Sequence, residues 1–310
     1  MTHMPKLIGL AAGLAALAFN SAPAAARMLD PSIPEDAVEI AKRMQCGVSA
    51  DEPAVYHWSG NIYSRVTGEP DRLLFKGEGM NIRRCVEVTD PERGTGWRII
   101  SREIMLMLDP ETGEVADTWE NPWTGETVDV MQIHNDPVNS RPTFPRGPDG
   151  EPYEIGSLRV SGPYALMPFE VPLFYPNPLA GGYQDYVGNQ YHAMEIFDFA
   201  ALKDELFDTT QPTAYPMISW VRISPWAPWM KMGARPGLMI FNAMGNKLRD
   251  GFEGLPDILK TEIRENYPIY EEAPPKDDMR RNETTWTKFK MLEDARRAAA
   301  GSGAAPASEE

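Results

Sequence analysis

Acid–base catalysis needs a group whose proton moves near neutral pH, and this chain is sparing with its best one, histidine. Four are present in 310 residues, and His3 lies in an N-terminal segment expected to be removed, which leaves His57, His134 and His192. Three histidines suffice for a metal. No two of them, however, stand at the i, i+2 or i, i+4 spacing that builds such centres, and no metal site is expected. His134 is the first candidate for a general acid or base. It ends a strand-like run and enters "HNDPVN", where Asn135 and Asp136 can close a turn ahead of Pro137. Strand ends at the mouth of a sheet are common places for sites. His57 is the second candidate. Each reads equally well as a hydrogen-bonded structural residue, and Asp136 as turn chemistry alone.

Four strand-like runs carry single charges on otherwise apolar faces. In "RIISREIMLML", Arg102 shares a face with Ile100, Ile104, Leu106 and Leu108, and Glu103 shares the other with Ile99, Ser101, Met105 and Met107. Apolar residues on both sides predict a strand buried on both faces. Arg84 sits the same way in "MNIRRCVEV", Glu195 in "MEIF" on the face of Tyr191, and Arg222 in "SWVRIS" near Trp220. A buried charge needs a partner or a ligand. Ion pairs that hold strands in register would satisfy that need. So would a pocket in which Glu103 or Glu195 orients a histidine, while Arg102 or Arg222 stabilises an oxyanion or binds a carboxylate.

In "VRISPWAPWMKMG", Pro225 and Pro228 break a strand just after its end, which predicts Trp226 and Trp229 over one rim of the sheet, beside Met230 and Met232. They either plug the end of a core or wall a pocket. Trp58, Tyr191, His192 and Trp220 add ring surface at strand positions, as Trp119 and Trp123 do near turns. Eight tryptophans are more than a core alone requires, which favours the pocket. The sequence has no GxSxG, P-loop, GxGxxG after a strand, HExxH or CxxC, so nucleotide, dinucleotide and zincin chemistry are disfavoured and no cofactor is expected. A formal charge of −15 repels phosphate backbones, which excludes nucleic acid as a partner.

Something must position these groups. Residues 1–26 hold one lysine, an apolar run over 7–19 and Ala24-Ala25-Ala26, the layout of a secretory signal peptide. A periplasmic or secreted protein is expected, with no integral membrane span after cleavage. A helix is expected within 27–50: "SIPEDAVEIAKRMQCG" offers Ser32 as cap with Glu35 three residues on, Ala37, Val38, Ile40, Ala41 and Met44 on one face, and Gly47 as stop. Residues 51–292 form a single domain rich in β-branched and aromatic runs. The triplet Thr-Gly-Glu recurs at 67–69, 112–114 and 124–126 as turn chemistry. The Pro- and Gly-rich stretch over 135–152 reads as a long surface loop or lid. Short helices are expected at 199–207 and 256–266, and a disordered tail over 293–310. The fold class is mainly β: an antiparallel meander closed into a barrel- or cone-like sheet with a few short helices. Cys46 and Cys85 either pair, as an oxidising compartment permits, or remain buried thiols.

Four stretches together resemble one bacterial family, catalogued as domain of unknown function 1838. They are "YHWSGNIYSRVTGEP", "DPETGEVADTWENPWTGETVDVMQIHNDPVN", "WVRISPWAPWMKMGARPGLMIFNAMGNKL" and "YEEAPPKDDMRRNETTWTKF". The likeness covers about residues 55–290 and implies one family-length, often exported domain; it carries no catalytic residues. The functional expectation therefore rests on the residues themselves. It is uptake of a hydrophobic or aromatic small molecule into the sheet, either by a cofactor-independent lyase, isomerase or hydrolase or by a carrier without chemistry. Docking of an envelope protein on the Trp-rich rim is the third course.

Overall fold

Helix α1 (Pro34–Gln45) opens the fold and buries Ala37, Val38, Ile40, Ala41 and Met44, the face its periodicity predicts. Ser32 is not its cap. The N-cap position is Ile33, without a side-chain cap, and the Ser32 hydroxyl donates instead to Asp30 Oδ1 at 2.7 Å. Pro34 in the first turn has no N–H to satisfy, so the start tolerates this. The computed structural model describes residues 26–49, 51–180 and 190–302, so the expected signal peptide and the end of the tail lie outside the described residues.

The strands follow as β1 (Ala54–Arg65), β2 (Arg72–Asp90), β3 (Gly94–Leu108), β4 (Thr118–Glu120), β5 (Thr127–Asp129), β6 (Ile133–Asn139), β7 (Arg159–Ser161), β8 (Tyr164–Pro176), β9 (Gln190–Leu202), β10 (Met217–Ser224) and β11 (Leu238–Lys247). β4 and β5 make a separate hairpin, and the other nine pair antiparallel in the order β6-β3-β2-β1-β11-β10-β9-β8-β7. Two meanders are thus joined where β11 pairs with β1. The three Thr-Gly-Glu turns lie at strand ends as expected, with Gly68, Gly113 and Gly125 all at positive φ.

The sheet does not close into the expected barrel or cone. β6 and β7 are open edges, and the chain crosses from one to the other through residues 140–158. Each edge is managed differently. Along β6, Asp136 N–H donates to Glu283 O, Glu283 N–H to Pro137 O and Asn139 N–H to the Asn282 side chain, so a C-terminal segment takes the place of a further strand. β8 carries Pro168, Pro172 and Pro176, which lack the N–H that a docking strand would use. The stretch over 135–152 is accordingly no single lid: it begins inside β6 and continues as the crossover, where Thr143 bridges Trp97.

Two apolar layers flank the sheet. The outer one packs α3 (Asp257–Asn266), through Leu259 and Ile263, onto Val55, Met80, Ile82, Ile104 and Leu106. The inner one lies inside the curl of the sheet and holds Tyr56, Trp58, Ile62, Phe75, Met105, Phe199, Trp220 and Phe241. α1 stops one end of this interior, where the Tyr56 hydroxyl donates to Met44 O. The other end is stopped by the β4–β5 hairpin and the turn Pro228–Met230 that follows β10. The expected helix at 199–207 is the end of β9 followed by the short α2 (Lys203–Phe207). The expected tail from 293 begins as the later turns of α4 (Thr285–Ser302), in a run of alanine, arginine and other good helix formers. No helix among the described residues is long and apolar enough to cross a membrane.

Candidate functional site

β3 and β10 are four pairings apart in the sheet, roughly 19 Å if it were flat, yet side chains from both line one cavity. Curling alone brings them face to face. The cavity is about 310 Å³, and most of its wall is apolar: Met105 and Met107 from β3, Trp220 from β10, Met239 and Phe241 from β11, and Trp229 above them. Across the gap between the two edges, α4 contributes Trp286, whose ring lies 5.4 Å from that of Tyr191. The polar part of the wall is small: Glu103, Asn135, Glu195 and Arg222, with Tyr175, Ser224 and, at the start of α4, Thr284 and Thr285.

Register sets that polar cluster. Glu195 and Arg222 are direct cross-strand partners, and the Arg222 guanidinium donates to the Glu195 carboxylate and, at 2.7 Å, to the Tyr191 hydroxyl. Burial pulls the Arg222 pKa down, but Tyr191 and Glu195 more than offset it, so the guanidinium stays charged. Glu103 faces Asn135 across the β3–β6 pair. Among the described residues its hydrogen bond is the long one from Asn135 Nδ2, at 3.5 Å. Protein surrounds Glu103, and the area it still exposes faces the cavity. Burial first, then the Glu195 carboxylate, raise its pKa; Asn135, Arg222 and Arg83 oppose the shift without cancelling it. A carboxyl biased toward its neutral form thus faces an ion pair across an apolar cavity.

The structure separates the expected site residues. Glu103, Glu195, Arg222, Trp220 and Trp229 line the cavity, and Tyr191 supports it from behind Arg222. The other expected residues lie elsewhere. Arg102, on the outer face of β3, donates to Asp136 Oδ1 at 2.7 Å and to Ile269 O and Glu272 O, fastening the C-terminal segment to the sheet. Asp136 is this ion pair's carboxylate and lies within β6, where the β3–β6 register shifts, rather than in a turn between elements. His57 is on the outer face, paired with Glu78. His134 also faces outward, beside Tyr267 and beneath Lys288, in an open groove of about 970 Å³ under α4. Among the described residues no histidine borders the cavity, so neither Glu103 nor Glu195 is set beside one there. His192 is exposed on the far face of β9 against Phe174, and Trp58 is core, its ring 6.1 Å from Trp220.

Trp226 and Trp229 split the two readings of their segment. Trp226 is fully buried, donates from Nε1 to Arg235 O and packs on Gly237, where a Cβ would stand 2.3 Å from its ring: it is a plug. Trp229, 6% exposed, packs edge-on to Phe75 and Trp119 and also forms cavity wall. Trp119 and Trp123, which pack on Trp229 and Trp226, are only partly buried and carry the remaining tryptophan surface at this end. Cys46 and Cys85 are joined by a disulfide. Among the described residues no cluster of three or more histidine, cysteine or carboxylate side chains is placed to hold a metal. Sequence reading missed Asn135 as a cavity residue, and Trp286 and Tyr175 altogether. Asn135 had a signal in its alternation with Ile133, but only the β3–β6 register places it opposite Glu103.

Fold and cavity together define a curled, open antiparallel sheet around an aromatic interior. The chain belongs to the family described as Protein of unknown function (DUF1838), whose model matches residues 51–293. No curated protein and no solved structure matches it significantly.

Proposed function

We propose that this is an exported protein, periplasmic or secreted, that takes a small hydrophobic or aromatic molecule into the cavity of its curled sheet. The observation that carries the reading is the cavity itself: about 310 Å³, walled by tryptophan, phenylalanine and methionine, with its few polar groups on β3, β6, β8, β9, β10 and the start of α4. Small-molecule sites have that composition and size. Export is supported by the signal-like residues 1–26 and by the Cys46–Cys85 disulfide, which needs an oxidising compartment to persist.

A catalytic version of the same reading is favoured by one observation. Glu103, Glu195 and Arg222 converge on a single cavity, so acid–base work of lyase, isomerase or hydrolase type would fall to the carboxyls and not to the histidines. Binding is the first thing to test. Titrating the protein with uncharged bicyclic aromatics should quench tryptophan fluorescence saturably, at one molecule per chain. Trp229→Ala should weaken that binding about tenfold, since a buried ring in contact with a ligand contributes more than 1 kcal/mol. Unaltered affinity in the variant, or no saturable binding by any aromatic probe, would remove the cavity as the site.

A further inference from the structure

Glu195 and Arg222 satisfy each other, and Tyr191 takes a further Arg222 donor. Asn135 is committed as well: its Oδ1 accepts the Thr285 N–H at 2.9 Å, which turns its amide toward Glu103. Within the cavity wall Glu103 is therefore the acidic side chain without a cation bonded to it among the described residues. Resting on the proposed cavity function, we infer that the polar end of the ligand is an uncharged acceptor oxygen, a ketone or aldehyde carbonyl, seated on the carboxyl of Glu103, with an aromatic or aliphatic body against Trp220, Trp229 and Trp286.

Charge decides between the possible ligand ends. The charged and titratable groups around Glu103 are Arg83 on β2, Tyr175 on β8, Tyr191 and Glu195 on β9, Arg222 on β10, and Tyr270 beyond the outer face. Thr284, Thr285 and Trp286, which α4 presents to the cavity, carry no charge, and burial raises the pKa of both cavity-side phenols, Tyr175 and Tyr191, which stay neutral. An anionic ligand would have to displace Glu195 from Arg222, leaving one buried carboxylate unpaired. A cationic ligand would meet Arg222 in the cavity wall, and it would require Glu103 to ionise against burial and Glu195. An uncharged acceptor asks for neither change. A neutral carboxylic acid has one O–H to donate, and a carbonyl oxygen accepts it directly. Burial makes that donor selective, because a site built to hydrogen-bond a polar group discriminates against ligands that leave it unpaired.

The test uses the full mature chain and four matched probes: acetylnaphthalene, ethylnaphthalene, naphthylmethylamine and naphthoate. Acetylnaphthalene is expected to bind best, by about threefold to tenfold over ethylnaphthalene, the worth of one neutral hydrogen bond. Its affinity should fall as rising pH ionises Glu103, because a carboxylate cannot donate. Glu103→Gln keeps an N–H donor and should hold the affinity within about threefold while abolishing its pH dependence. Glu103→Leu should lose the preference for the ketone but still bind ethylnaphthalene, which separates loss of the donor from loss of the fold. Tightest binding by the amine or by naphthoate overturns the inference, the first making Glu103 a cation seat and the second making Arg222 an anion seat. Equal binding of ketone and hydrocarbon overturns it too, while leaving the apolar cavity intact. If no probe binds, the hydrocarbon included, the cavity function falls and this inference with it.

Discussion

Protonating His134 would place a second positive charge beside Lys288, in a half-buried position against the Tyr267 ring 5.5 Å away. Burial first and Lys288 second push its pKa down to about 4. An unfolded histidine titrates near 6.5, so the folded state disfavours the protonated ring. Stability that is fully present above about pH 6.5 is therefore lost as pH falls toward 4. His134→Phe keeps an aromatic ring against Tyr267 and removes the titration. Between pH 7 and pH 4 the variant should gain on the wild type by on the order of 1–2 kcal/mol, less than full linkage because the ring is partly solvated. Urea unfolding of both proteins across that range measures it, since the carboxylates they share cancel in the difference. Parallel pH profiles would mean that the folded protein protonates His134 freely. Binding of an aromatic probe in the cavity should be unchanged, because His134 lies on the other face of the sheet.

At the scale of elements, α4 stands on few contacts. It touches the fold mainly through β6 and the Pro228–Met230 turn, and its Met291 and Leu292 are 64% and 51% exposed. What starts it is Asn135, a cap supplied from another element: Oδ1 accepts the N–H and hydroxyl of Thr285, while the Thr285 hydroxyl accepts the N–H of His134. Asn135→Ala removes that cap at a cost of about 1 kcal/mol. Nearly all of the loss should fall on α4, so trypsin should cut at Lys288 or Lys290 several times faster while the sheet stays protected, and unchanged cleavage would show that α4 is held elsewhere. The same element marks how far the sequence could be read. Strand β3 was legible, both faces buried as its alternation required, and so was the burial of α1. The residues that α4 brings to the site were not legible. "NETTWTKF" has no apolar stripe of its own, and Trp286 reaches the cavity because "HNDPVN" and "DDMRRNETTW" clamp each other through Asn135, Asp136 and Asn139. Such pairing is non-local, and a single sequence carries no trace of it. For the same reason Arg102 and Glu103, equal candidates by alternation, separated into a fastener on one face and a cavity acid on the other.

For the whole molecule, local alternation reads alike in a closed barrel and in an open curl, because closure depends on whether the first and last strands meet. Here they do not, and the interior is sealed by pieces that are not strands: Trp286 at the gap, the Trp229 turn at one end and α1 at the other. A sheet stopped by plugs depends on how firmly each plug is fastened. The C-terminal end of α1 is held by several contacts at once. The disulfide joins Cys46 to Cys85 on β2; Lys247 Nζ on β11 donates to Arg43 O, Cys46 O and Thr213 Oγ1; and the Tyr56 hydroxyl on β1 donates to Met44 O. The disulfide closes a separation of 39 residues, which in the chain-entropy model stabilises by about 4 kcal/mol. Lys247→Met fills similar volume but leaves the single Thr213 hydroxyl to serve the Arg43 and Cys46 carbonyls, so one helix-end carbonyl loses its donor, at a cost of about 1–3 kcal/mol. The two losses should not add. Once Cys46 is released, the last turn of α1 can fray and its carbonyls can reach water, so removing Lys247 then costs less. Denaturant unfolding of the Cys46→Ala/Cys85→Ala protein, the Lys247→Met protein and their combination measures this as a coupling of at least about 0.5 kcal/mol. Strict additivity would mean that disulfide and lysine hold separate parts of the fold, and that α1 is not the single plug their shared position makes it.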